Sequence, residues 1–105
     1  MTGKKGFDAV FSGRRLATSD LVFYFIRNSR DCGRLGMAIG KAAHPRAVDR
    51  NRLKRRIRDI FRHMGGIVKG YDVVAVAKKG RRLPEYGELE GQFEKLAKAV
   101  KALSG

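Results

Sequence analysis

Residues 46–62 pack eight Lys or Arg and two Asp around a thin apolar stripe, and nothing else in the 105 residues restricts the fold as strongly. Leu53, Ile57, Ile60, Phe61 and Met64 recur at helical spacing and fall within an arc of about 100°, the width of a face that packs on a core. Pro45 suits a position just before or inside a first turn, and Gly65-Gly66 supplies a stop, so the spacing predicts a helix over 45–64. Like charges four residues apart each destabilise an isolated helix by roughly 0.2 to 0.5 kcal/mol. Packing of the stripe, or a bound polyanion, has to offset several such terms.

The cations are ordered. Arg46, Arg50, Lys54, Arg58 and Arg62 recur every fourth residue, and Asn51 with Arg55 forms a second row beside them. An ordinary solvated face would alternate acid with base, and this one does not. Arginine predominates, and its planar fork grips phosphate oxygens in pairs and stacks on bases, whereas lysine acts as a point charge. The whole chain carries 24 Lys plus Arg against 10 Asp plus Glu, a net charge of +14, which repels itself unless a polyanion neutralises it. Nucleic acid is the expected partner. An anionic membrane attracts the same charge, but there is no run of about 18 apolar residues and no charged-then-apolar leader. We expect a soluble, cytoplasmic protein with no membrane partner and no small-molecule substrate. Cys32, the single cysteine, can make no internal disulfide and has no neighbour for a zinc site, which fits a reducing compartment. The length fits one domain over 1–105.

The remaining elements follow from shorter patterns. Phe7, Val10 and Phe11 have the spacing of one helix face, with Gly13 as a stop. Residues 21–28 and 34–40 are rich in aromatic and β-branched or alternating residues and flank a turn, which reads as an antiparallel strand pair; a further short strand could hide near 16–19. In the second strand Gly36, Ala38 and Gly40 share a face almost without bulk. Either something large lies across that face or a helix packs closely on it. Residues 71–77 read as a buried strand, and Leu89, Phe93, Leu96, Val100 and Leu103 as the apolar positions of a last helix. The order is α-β-β-α-β-α, an α+β sandwich.

The run Arg46-Ala47-Val48-Asp49-Arg50-Asn51-Arg52-Leu53-Lys54-Arg55-Arg56-Ile57-Arg58-Asp59-Ile60-Phe61-Arg62 closely resembles the Arg-Asn-Arg signature helix of the bacterial ribonuclease P protein family. The stretch 7–13, Arg34-Leu35-Gly36 and Tyr71-Asp72-Val73-Val74 resemble that family's aromatic first helix, central strand and following strand. The resemblance implies a ribosomal protein S5 domain 2-like fold with a left-handed βαβ crossover, although chain statistics favour the right-handed form. It also implies a subunit without catalytic residues of its own. Such a subunit binds a catalytic RNA and precursor tRNA and assists removal of the 5′ leader, with Mg²⁺ bound mainly by the RNA. By residue, it implies catalytic-RNA contacts for Arg46, Arg50, Asn51 and Arg52, and for Lys54, Arg55, Arg58 and Arg62. It implies leader contacts for Phe7, Phe11 and Tyr24. For those three aromatics, stacking on bases and plain core packing both stay open. Where the family usually has two lysines after the central strand, Lys41 is followed here by Ala42, so a phosphate contact carries over to Lys41 alone. The family's basic N-terminal segment is cut to Lys4-Lys5.

Two rival readings have different signatures. A self-sufficient nuclease needs clustered carboxylates or a His pair. The acids are scattered, and His44 and His63 stand about 28 Å apart at 1.5 Å rise per residue. A ribosomal protein or RNA chaperone fits the composition but does not require the Arg-Asn-Arg helix together with an aromatic cleft.

Overall fold

The computed structural model describes residues 10–11, 13–29, 32–79 and 82–104. Four strands, β1 (Arg14–Ala17), β2 (Leu21–Arg27), β3 (Arg34–Ala38) and β4 (Tyr71–Ala77), form a sheet in the order β1-β2-β4-β3. Helix α1 (Ala47–Met64) continues into a 3₁₀ turn (Gly65–Val68), and α2 (Tyr86–Ser104) ends the described chain. The architecture is mixed α+β. Of the expected first helix, Val10 and Phe11 are helical and the Gly13 N–H donates to the Val10 carbonyl at 3.0 Å. The rest of that helix, including Phe7, lies outside the described residues.

The expected pairing of 21–28 with 34–40 does not occur. β4 lies between them, antiparallel to β2 and parallel to β3. The reason is burial on both faces: Tyr71, Asp72, Val73, Val74 and Ala75 are consecutively buried, an environment only an interior strand offers. Adjacency in sequence, the usual guide to pairing, loses to that demand. The additional strand sits at 14–17 rather than 16–19, because Thr18 already turns the chain, its N–H donating to the Leu21 carbonyl at 2.8 Å.

Alternation in β2 gives the sheet two sides. Leu21, Phe23 and Phe25 are buried in one core with Leu53, Ile57 and Ile60 of α1 and Leu89, Phe93, Leu96 and Val100 of α2. Leu35 and Met37 of β3 join that side. Gly36 and Ala38 point the other way, aligned with Val74 and Val76 of β4, which are in turn aligned with Tyr24 and Val22 of β2. Neither α1 nor α2 packs on the small-residue side. Gly33 holds the approach to β3, where a Cβ would come within 2.7 Å of the Val68 carbonyl oxygen. Gly65 takes φ 50°, a backbone that side chains rarely adopt, and turns α1 into the 3₁₀ segment instead of stopping it outright.

Two polar clusters lock the layers. Buried Gln92 of α2 accepts from the Asp20 N–H at 3.0 Å and from the Thr18 hydroxyl at 2.5 Å, and donates to the Asp20 carboxylate at 2.9 Å. Buried Asp72 accepts from Asn28 at 2.7 Å and from Arg34 at 2.8 and 2.5 Å, tying the β2–β3 link to β4. That pairing raises the Arg34 pKa.

Candidate nucleic-acid interface

Because Leu53, Ile57 and Ile60 turn α1 onto the core, the opposite face is fixed by helix geometry. Asn51, Arg55, Arg58 and Arg62, spaced four, three and four residues apart, are all exposed along it. Arg52 is exposed on one flank and Lys54 half-buried on the other. Arg55, Arg58 and Arg62 line a shallow depression together with Asp59. These are the side chains that can meet phosphates side by side.

Other residues of the expected strip are placed differently. Arg50 is half-buried, and its guanidinium donates to the carbonyls of His44 and Pro45 at 3.0 and 2.8 Å, bracing the loop that enters α1. Arg46 is the exposed N-cap residue and makes no side-chain cap. Lys41 is exposed in the turn after β3. Arg56, on the core side of the stripe, donates to the Pro84 carbonyl at 2.6 Å and anchors the approach to α2.

Asp59 is the acid embedded in this face. Tyr86 donates to it at 2.5 Å and Arg62 at 2.7 Å, while His63 Nδ1 lies 3.7 Å away. The Tyr86 hydroxyl, with lesser help from His63 and Arg62, holds the Asp59 carboxyl below its ordinary range against the opposing desolvation, which is second only to the Tyr86 hydrogen bond. The same hydrogen bond pushes the Tyr86 phenol up to about 12. Arg62 is thereby drawn toward its own helix. Tyr86 had no signal in the sequence, because its partner is 27 residues away.

On the sheet side opposite the core, Phe11 and Tyr24 meet edge to face, with ring centroids 4.7 Å apart and planes at 86°. Phe11 is 42% exposed. Arg15 stands opposite Tyr24 in the β1–β2 register and is exposed, placing a cation beside the aromatic pair. It was invisible to sequence reasoning because only the register of β1 puts it there.

Among the described residues no three His, Cys, Asp or Glu side chains are arranged to hold a metal ion. Asp59 and Asp72 are engaged as above, and Glu88 accepts from the Glu85 N–H and from Arg82, interactions that lower its pKa in that order. Cys32 is free and exposed. No helix among the described residues is long and apolar enough to cross a membrane.

Residues 1–101 match the Ribonuclease P family. The chain belongs to the ribonuclease P protein family. A ribonuclease P protein component from Streptococcus pyogenes is 35% identical over 101 residues, covering 95% of this chain and 84% of the relative. One from Ectopseudomonas mendocina is 49% identical over 73 residues, covering 70% of this chain, and the match spans 54% of that relative's length. The solved ribonuclease P protein of Thermotoga maritima superposes with a TM-score of 0.78 at 30% identity, covering 90% of this chain and 92% of that one. The run 46–62 lies within the matched residues and forms most of the helix whose outward face carries the exposed guanidinium groups.

Proposed function

We propose that this chain is the protein subunit of a ribonuclease P holoenzyme, an endoribonuclease that removes the 5′ leader of precursor tRNA. The subunit binds the catalytic RNA through the outward face of α1, using Asn51, Arg52, Lys54, Arg55, Arg58 and Arg62, with Arg46 and Lys41 at the margin. Arg50 contributes indirectly by holding the loop before α1. Phe11, Tyr24 and Arg15 receive the single-stranded leader on the other side of the sheet, and Phe7 is a further leader contact. Base stacking on aromatic rings contributes about 1 to 3 kcal/mol per base and tolerates any sequence, as a subunit serving many precursors requires. In this reading the Mg²⁺ needed for hydrolysis is bound mainly by the RNA. The working compartment in this reading is the cytoplasm.

The observation that carries this reading is the exposed row of Asn51, Arg55, Arg58 and Arg62 on a helix whose other side is core. The test is to add the full chain to a bacterial ribonuclease P RNA and measure leader removal from precursor tRNA at low Mg²⁺. Strong stimulation is expected with the RNA present, and no cleavage by the chain alone. Cleavage without the RNA, or no stimulation with it, contradicts the reading.

A further inference from the structure

At the end of the sheet near the last turn of α2 lies a cavity of about 540 Å³, lined by Gly13, Arg14, Phe25, Ile26, Arg27, Tyr71 and Leu103. That volume is in the range of small-ligand sites. Its wall is apolar: Phe25 and Tyr71 rings lie 6.5 Å apart, and Leu103 is 41% exposed although its helical position faces inward. Its rim is cationic. Arg14 pairs with Phe25, and Arg27 lies two residues along β2 on the same side, so the two are diagonal neighbours whose Cβ atoms stand about 7 to 8 Å apart. Arg27 sits over the Tyr71 ring at 5.7 Å, and among the described residues neither arginine has a carboxylate partner. Two unpaired like charges at that spacing repel each other, and an anion between them removes the repulsion.

A cationic rim over an aromatic and aliphatic wall fits one chemistry in particular, a phosphate joined to a flat base. The cavity opens on the core side of the sheet end, and of its lining strand residues Ile26 alternates with Phe25 and belongs to the side that carries Tyr24. A strand crossing Phe11 and Tyr24 would have to round the sheet end past Ile26 to reach Arg14 and Arg27.

We propose that this cavity seats one unpaired nucleotide of single-stranded RNA, with its phosphate between Arg14 and Arg27 and its base against Phe25, Tyr71 and Leu103. The proposal rests on the RNA-binding role given above, and the nucleotide comes either from the precursor's leader or from the catalytic RNA.

The test uses the reconstituted complex and precursor tRNAs whose leaders lengthen one nucleotide at a time. Leu103→Glu, Arg14→Ala and Arg27→Ala are compared with wild type and with Lys98→Ala, an exposed lysine elsewhere on α2, after thermal melts establish that each is folded. If the leader supplies the nucleotide, wild-type affinity rises in a step of about tenfold at one leader length. The three cavity variants lose the step and keep the gains made by shorter leaders, and an abasic nucleotide at the step position loses it too. If the catalytic RNA supplies it, the leader series has no such step, and the same variants weaken assembly with that RNA by a similar factor relative to Lys98→Ala. Cavity variants that match Lys98→Ala in both series overturn the proposal. Retention of the step by the abasic leader overturns the base seat. Failure of the leader reading itself shows separately, as Phe11→Ala and Tyr24→Ala leaving the gains from short leaders intact.

Discussion

Asp59 keeps its negative charge on a face built to attract negative charge, because Tyr86, Arg62 and His63 surround it. The carboxyl pKa is lowered by folding, so its contribution to stability is present above the ordinary carboxylate range and is lost as pH falls through the lowered value. The phenol runs the other way: its pKa is raised to about 12, so its contribution is present below the ordinary tyrosine value and is lost as pH rises through about 12. Ultraviolet titration of the three tyrosines should show one ionising near 12. In Asp59→Asn that ionisation should move back toward the ordinary tyrosine value of about 10. Asp59→Asn should also free Arg62 and strengthen RNA binding, read as a lower dissociation constant at fixed salt. Gln92 is a second residue whose part is structural. Gln92→Ala leaves Thr18 and the Asp20 N–H without their partner, so it should cost about 1 to 3 kcal/mol in urea unfolding and leave RNA affinity unchanged.

At the scale of elements, α1 has two faces with separable duties. Ile57 is fully buried, and Ile57→Ala should cost about 2 to 5 kcal/mol of stability. Arg58 is exposed, and Arg58→Ala should change stability by less than about 0.5 kcal/mol. Paired urea melts and RNA titrations check both, with the binding loss confined to Arg58→Ala once the folded fraction is equal. The stripe and the row of cations were legible in the sequence because helical periodicity is a local property. So was β4, whose bounds 71–77 come from a run that is apolar but for Asp72. Strand order was not legible, since nothing local in 21–28 or 34–40 says that a strand from beyond α1 inserts between them. The bracing role of Arg50 was hidden for a similar reason. Its fourfold spacing matched that of its neighbours, but the loop carbonyls of His44 and Pro45 take its guanidinium. Leu103 read as core from its spacing, yet the sheet ends before it and leaves it part of an open cavity wall.

The whole molecule places its cations on distinct surfaces of a small α+β body: the outward face of α1, the aromatic side of the sheet, and the sheet end at Arg14 and Arg27. A net charge of +14 on 105 residues makes association steeply dependent on ionic strength. Neutralising some 6 to 10 phosphates corresponds to an affinity loss of roughly 10³ to 10⁵ between 50 and 200 mM salt. The most direct measurement is the slope of log affinity against log salt for the ribonuclease P RNA, compared between wild type and the double variant Arg55→Ala, Arg58→Ala. If the outward face of α1 grips RNA phosphates, the slope becomes shallower by about two, one for each lost contact, with the unfolding midpoint unchanged. An unchanged slope in a folded double variant would contradict the account.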